Sequence, residues 1–123
     1  MKGHLYNMIA SLKNGQDVKK AFVLSENSRF CRKLLDILWD EGFISGYKTL
    51  SMNKLKIYLK YKNGNSVISS IKVISKPSLR VYYSVKKLKK LKKNLILTTH
   101  KGIKTISNCK KLNIGGEPII MIK

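Results

Sequence analysis

The sequence predicts an α+β protein of two small modules, an N-terminal α-β-α-β-β module and a mainly β C-terminal module. Two observations lead to this class. Apolar residues recur twice at helical spacing within residues 5–42, whereas later segments alternate between apolar and polar residues as strands do. The most turn-like break in the chain, Asn63-Gly64-Asn65, separates two parts of this pattern. We therefore expect domains at residues 1–63 and 64–123.

The first two elements are a short helix and a strand. A polar turn follows Asn14-Gly15, which we interpret as the C-terminal stop of the helix. The next apolar run, residues 21–25, reads as a strand. The helix is predicted from four residues at helical spacing: Leu5, Met8, Ile9 and Leu12.

The second helix has the clearest pattern in the chain. Ser28 lies at the N-cap position and Gly42 ends the helix. Its apolar face is formed by Phe30, Leu34, Ile37 and Leu38. Residues 43–51 and 54–62 then read as paired strands, and the second of them alternates apolar residues with lysines. This alternation predicts a sheet with one buried face and one basic face.

The C-terminal module reads mainly as strands. We expect them at residues 68–74, 79–83, 95–99, 103–105 and 118–122. Short helical segments fit residues 85–92 and 107–112. Together these segments give the β-rich second module.

The charge balance points to a polyanionic partner. The chain of 123 residues has 26 Lys and Arg residues against 6 Asp and Glu residues, a formal net charge of +20. Such self-repulsion favours nucleic acid as the partner, with an anionic membrane surface second. No apolar run approaches the roughly 20 residues needed to span a bilayer. The N-terminus also lacks the composition of a presequence.

Catalytic and metal-binding functions find little support in the residue pattern. His4 and His100 are the histidines of the chain, and neither has an acidic neighbour in sequence. The carboxylates are scattered, with no pair suited to general acid and base catalysis. Cys31 and Cys109 are far apart in the sequence and match no metal-ligand spacing. We expect no enzyme activity, no cofactor, no metal and no small-molecule substrate.

The lysine-rich segment "KKLKKLKK", residues 86–93, has two interpretations. It could lie along phosphates, or it could be a solvated helix face with Leu88 and Leu91 turned inward. Its apolar face is too small for a membrane anchor.

Three segments carry residues suited to RNA. In "ISKPSLRVYY", Arg80 and Tyr82 would share one side of a strand, a combination that suits phosphate binding and stacking. In "LNIGGEPII", two glycines precede a carboxylate, which fits a tight turn as well as a binding loop. The stretch "LILTTHKGIKT" could be a catalytic loop, a phosphate cradle, a nucleic-acid contact or a β-turn.

In order along the chain, "KNGQ", "DEGFI", "SKPSLRVY", "LTTHKGI" and "NIGGE" resemble the small-subunit ribosomal protein eight family of bacteria and organelles. The likeness runs from about Leu5 to Ile122. It implies a structural protein that binds the central domain of small-subunit ribosomal RNA early in assembly, chiefly through the C-terminal module. It also implies contact with neighbouring proteins such as ribosomal protein five.

The resemblance implies a set of RNA-binding residues. The family's loop resembles Ser-Thr-Ser-Lys-Gly, and in this chain His100 replaces its second serine. The predicted rRNA-binding residues are Lys76, Arg80, Tyr82, Thr98, Thr99, His100, Lys101, Gly102, Gly115, Gly116 and Glu117.

Two questions stay open at the level of sequence. A free-standing basic RNA-binding regulator and a membrane-surface protein are the alternative functions. The divergence from the family pattern and the missing presequence favour a mitochondrial ribosome, with a plastid or an A+T-rich bacterium as alternatives.

Overall fold

The computed structural model describes residues 2–75 and 79–123. The chain divides into two units, Met1–Ser69 and Ser70–Lys123. Helices and antiparallel sheets occur in the order given below, so the predicted α+β class is confirmed.

The first unit contains the predicted α-β-α-β-β order followed by a small hairpin. Its elements are α1 (Lys2–Asp17), β1 (Phe22–Glu26), α2 (Arg29–Asp40), β2 (Ile44–Ser51), β3 (Lys54–Leu59), β4 (Tyr61–Lys62) and β5 (Asn65–Ser66). The turn at Asn63 and Gly64, where the sequence suggested a boundary, joins β4 to β5 within this unit.

The sheet of the first unit has the strand order β1-β3-β2, with antiparallel neighbours. Alternate residues of β1 and β3 are buried, as the period of two in their sequences requires. Both helices contact this sheet, α1 through β1 and α2 through β2. The buried residues of the helices and strands together form the core: Leu5, Met8, Ile9, Leu12, Val23, Cys31, Leu34, Leu35, Leu38, Ile44, Leu55, Ile57 and Leu59.

The first helix is longer than predicted, because Gly15 lies inside it rather than ending it. A Cβ atom at residue 15 would collide with the side chain of Val23 and lie 3.2 Å from Leu59 Cδ1. Gly15 is therefore needed where the helix packs closely on the sheet. The chain leaves the helical path only at Lys19, whose φ is 56°.

The prediction for the second helix is confirmed. The Ser28 side chain accepts a hydrogen bond from the Cys31 N–H, at 3.1 Å, and this caps α2. Glu41 forms the C-cap, and Gly42 follows with a φ of 82°. A glycine suits that left-handed position because it has no Cβ.

The second unit is built on a sheet with the strand order β6-β9-β7-β8. Its elements are β6 (Ile71–Val73), α3 (Val85–Lys90), β7 (Leu95–Thr99), β8 (Gly102–Thr105), α4 (Ile106–Leu112) and β9 (Glu117–Ile122). The helices pack on β7 through the cluster Leu88, Leu95, Leu97, Ile106 and Cys109. Ser84 and Thr105 cap the two helices, as the hydroxyl side chains there allow.

The predicted strand at residues 79–83 is wrong. In this segment Tyr83 forms an isolated antiparallel bridge with Gly116, just before β9 begins. The strand β9 already has β6 and β7 on its two sides, so its edges are occupied. Residues 79–83 therefore meet no free edge of β9 along which a further strand could form.

One buried cysteine lies in each unit, Cys31 in α2 and Cys109 in α4. Burial raises the pKa of both thiols above the ordinary value. This suits packing groups rather than reactive nucleophiles. No helix in the described residues is long and apolar enough to cross a membrane.

Candidate nucleic-acid interface

The stretch that reads "TTHKG" in the sequence forms the hairpin turn between β7 and β8. Thr99 pairs with Gly102, and His100 and Lys101 lie exposed at the tip. The Thr99 hydroxyl donates to the Gly102 carbonyl at 2.8 Å and accepts from the Lys101 N–H at 3.1 Å. The turn is thus held by its own threonine, which leaves the His100 ring and the Lys101 ammonium directed at the surroundings.

Gly102 has the left-handed backbone conformation that this hairpin needs. Its φ is 103°, and a Cβ added there would meet no atom within 4 Å. The restriction is therefore conformational and not spatial, since L-residues rarely adopt this region. Outside glycine, left-handed φ values among the described residues occur at Lys19, Asn63 and Asn113, so neither His100 nor Lys101 shares it.

Thr98 differs from its neighbour in the way its hydroxyl is used. Its Oγ1 atom is buried and has no hydrogen-bond partner within residues 2–75 and 79–123. An unpaired buried hydroxyl lowers stability. Of the two threonines, Thr99 organises the turn, whereas the Thr98 hydroxyl contributes no bond within the described protein.

The two glycines of "NIGGE" lie where backbones approach one another closely. A Cβ at Gly116 would be 2.7 Å from the Thr98 carbonyl oxygen, and one at Gly115 would be 2.6 Å from the Tyr83 carbonyl oxygen. Gly116 also exchanges two hydrogen bonds with Tyr83, of 2.8 and 3.0 Å. The glycines therefore join the segment before α3 to the strand that carries the hairpin turn.

Glu117 is held by hydrogen bonds inside the protein. Its carboxylate accepts from Arg80 Nε at 2.8 Å, from Arg80 Nη2 at 3.1 Å and from Ser75 Oγ at 2.9 Å. The Ser75 hydroxyl in turn accepts from the Val81 N–H at 3.2 Å. The Arg80 guanidinium contacts the carboxylate through two nitrogens, the geometry in which an arginine binds a carboxylate most specifically.

This pairing sets the electrostatics of the second unit. Glu117 is the one acidic residue in the sequence from 70 to 123, and that stretch also carries Arg80 and many lysines. The Glu117 side chain is 13% exposed, whereas that of Arg80 is 65% exposed. The negative charge is thus largely withdrawn from the surface, and the positive field of the lysines is left unopposed.

The lysine-rich segment forms α3 and the residues just after it. Leu88 is fully buried and Leu91 is partly buried against the same cluster, so the inward-turned arrangement is present. The lysines at 86, 87, 89 and 90 lie outside on this short helix. Lys87 Nζ lies 4.2 Å from the centre of the Tyr83 ring, close to the backbone bridge at Gly116. A solvated face and a phosphate contact are both compatible with this position.

The structure brings most of the predicted site residues into one region. Thr98 and Thr99 adjoin Gly116, and Glu117 binds Arg80. The Tyr82 side chain is 71% exposed, and its hydroxyl oxygen lies 3.0 Å from the Cβ position of Gly115. Lys76 lies outside the described residues. Sequence reasoning missed Ser75, because nothing in a lone serine at a strand end indicates a bond to a residue 42 positions away.

The histidine and acidic side chains described in this region do not form a catalytic or metal centre. Glu117 is occupied by Arg80 and Ser75, and His100 lies exposed at the hairpin tip. In the first unit, His4 forms an ion pair with Glu26. Among the described residues, no group of three or more His, Cys, Asp and Glu side chains could hold a metal ion.

Comparison with known proteins finds the family model for ribosomal protein S8 over residues 4–122. The small ribosomal subunit protein uS8 of Caulobacter sp. (strain K31) is 39% identical over 129 residues, covering 99% of this chain and 98% of that protein. The protein of the same name from Malacoplasma penetrans (strain HF-2) is 38% identical and covers 94% of each chain. That of Buchnera aphidicola subsp. Cinara cedri is 39% identical, with 99% and 98% coverage.

Proposed function

The chain belongs to the ribosomal protein S8 family, and on that premise we propose that it binds the central domain of small-subunit ribosomal RNA through residues 70–123. The family is a structural, non-enzymatic component of the small ribosomal subunit that binds ribosomal RNA and other subunit proteins.

The observation that carries the proposal is the internal pairing of Glu117. Because Arg80 and Ser75 hold this carboxylate, the acidic residue of the second unit does not repel phosphates. The hairpin tip next to it then exposes one aromatic ring, His100, and one ammonium group, Lys101. Lysine ammonium groups contact phosphates, and flat rings stack on bases that are unpaired in irregular RNA.

In this proposal the residues have different roles. Lys101 and the exposed lysines of α3 supply attraction to any RNA, whereas His100 and Tyr82 contact bases or sugars. Thr99, Gly102, Gly115 and Gly116 position the backbone, and Lys76 is proposed as a further phosphate contact. Thr98 and Arg80 are proposed to border the RNA, with Arg80 oriented by Glu117.

The proposal extends to neighbours and compartment. We propose contact with ribosomal protein five, on the strength of the family resemblance. The relatives compared above are bacterial. The mitochondrial ribosome favoured by sequence divergence stays a prediction, as do the plastid and A+T-rich bacterial alternatives.

Binding of the full chain to two RNA transcripts tests the proposal. One transcript contains the central domain of the cognate small-subunit RNA and the other is of equal length from another domain. We expect preference for the first, and a log-log salt slope of roughly −4 to −7 from about five to eight phosphate contacts. Equal affinity for both transcripts, or affinity nearly independent of salt, would contradict it. Sedimentation with small subunits at moderate salt separates a subunit protein from a free-standing regulator.

A further inference from the structure

The first unit has a sheet face that the function proposed above does not use. In β1, Phe22 and Leu24 point away from the core and are 42% and 50% exposed. Their partners across the strand pair are Tyr58 and Lys56 of β3. Directly paired residues share a face of an antiparallel sheet, so rings, an aliphatic side chain and a lysine lie together. We call this surface, completed by Lys48, the open face.

Two lysines on the open face oppose one another. Lys48 of β2 pairs directly with Lys56 of β3. Like charges placed directly opposite on a sheet destabilise it. Within the described residues, the acidic side chain on this face is that of Glu26, which is paired with His4 of α1. The pairing of Lys48 with Lys56 therefore places two like charges on the open face, which a bound anion would neutralise.

The Lys56 ammonium lies where it can reach such an anion. Its Nζ atom lies 4.1 Å from the centre of the Phe22 ring and 5.3 Å from the centre of the Tyr58 ring. A cation over an exposed ring is held only weakly. The ammonium can therefore move to a phosphate. This movement uncovers the Phe22 and Tyr58 rings, which lie on neighbouring strands.

We infer that the open face is a second RNA-binding surface, which stacks unpaired bases on Phe22 and Tyr58 and places phosphates between Lys48 and Lys56. Charge complementarity with a polyanion and the unopposed lysine pair support RNA as the occupant. The inference rests on the proposed function only for the identity of the RNA. The open face lies on β1, β2 and β3 of the first unit, whereas the proposed function uses residues 70–123.

A charge reversal gives the sharpest test, because it moves stability and RNA binding in opposite directions. Lys48→Glu places a carboxylate opposite Lys56, so the free protein should unfold at a higher temperature. The same variant should bind RNA less tightly and lower the log-log salt slope, because it removes a phosphate contact and adds repulsion. Lys33→Glu is the matched control on α2, on the covered side of the sheet. If both variants change the salt slope equally, the inference is overturned.

The stacking contact is tested on the same full-length chain. Phe22→Ala should weaken binding about tenfold or more, the scale of one base–aromatic stack, whereas Phe22→Trp should retain it. Hydroxyl-radical oxidation read by mass spectrometry should fall several-fold at Phe22 and Tyr58 when RNA is bound. Trp39 of α2 serves as the internal reference, since its ring lies against Tyr47, whose strand partner is the buried Ile57.

Two RNA probes keep this test separate from that of the proposed function. A central-domain transcript and poly(U) are compared with the same protein. Preference for the transcript concerns the proposed function, whereas protection of Phe22 and Tyr58 by either RNA supports the open face as a contact. Unchanged oxidation at both residues with RNA fully bound would overturn the inference. That result would leave a protein partner as the ligand for this face.

Discussion

The two units differ in whether the polar groups on their surfaces are already held by hydrogen bonds within the protein. In the second unit, the Thr99 hydroxyl already closes the hairpin turn and Arg80 already binds Glu117. In the first unit, Lys48 and Lys56 face one another across two strands, and Lys56 rests on an aromatic ring. A surface whose groups are fixed before binding selects a shape, because little order has to be created. A surface of mobile lysines attracts phosphates with less discrimination.

The largest expected effect comes from a substitution at Gly116, which lies beside the hairpin turn and the Arg80–Glu117 pair of the second unit. Gly116→Ala would place a Cβ 2.7 Å from the Thr98 carbonyl oxygen, a backbone atom that cannot move aside easily. We expect the free energy of unfolding to fall by about 1–3 kcal/mol, the range for overpacking, and preference for cognate RNA to fall with it. Chemical denaturation and RNA titration measure the two effects.

A control on α4 separates this steric effect from general sensitivity of the second unit. Ser107 is exposed, so Ser107→Ala should change the free energy of unfolding by no more than about 0.5 kcal/mol. If Gly116→Ala changed the free energy of unfolding as little as Ser107→Ala does, the close approach of the backbone to Gly116 would not contribute to stability.

The next effect concerns His100, the exposed ring at the hairpin tip. His100→Ala should weaken RNA binding by about 1–3 kcal/mol, and His100→Phe should largely preserve it if the ring stacks on a base. If a ring nitrogen donates an essential hydrogen bond, both variants should lose about the same affinity. Thermal unfolding should hardly change in either. Unchanged binding in both variants would remove His100 from the contact surface.

A smaller effect is expected from the Arg80 and Glu117 pair. Glu117→Gln keeps the shape but weakens the charged contact, and we expect about 1 kcal/mol of destabilisation because Arg80 is largely exposed. A double-mutant cycle with Arg80→Ala should show positive coupling in denaturation. Released from the carboxylate, Arg80 should also raise affinity for generic RNA, which reduces the preference for cognate RNA. Independent effects of the two substitutions would show that the pair does not orient Arg80.

The smallest effect should come from Lys101. Lys101→Ala should weaken binding to all RNAs alike and lower the log-log salt slope by about one unit. Its stability should match that of the original chain, because the side chain is exposed. Lys62→Ala, on the β4–β5 hairpin of the first unit, removes the same charge elsewhere. Equal slopes for the two variants would indicate that charge alone, and not position, governs binding.

Local patterns predicted the elements that depend on local causes. The second helix follows from Ser28 and from one apolar face, and β7 was placed at residues 95–99, as observed. The sequence predicts that the first helix ends at Asn14-Gly15, whereas Gly15 lies inside the helix where it packs against Val23. That distinction depends on packing with a strand, which helical periodicity does not contain.

The candidate site was predicted as a set of residues but not as a structure. The sequence predicts that Arg80 and Tyr82 share one side of a strand, whereas Arg80 binds a carboxylate 37 positions away. Ser75 joins the same group through two hydrogen bonds. Such contacts depend on where β9 begins relative to the segment before α3. Spacing along the chain carries no information about that distance.

The two buried cysteines, one in each unit, give the chain two built-in probes of local opening. A thiol reagent can reach Cys31 only when α2 separates from its sheet, and Cys109 only when α4 does. The two modification rates, resolved by peptide mapping, therefore report the opening of each unit separately in the unaltered protein. Bound RNA should lower the modification rate of each cysteine, and the ratio of the rates without and with RNA reports how strongly that RNA stabilises the unit against opening. Two ordinary packing residues thus make the division of labour between the units measurable without a single substitution.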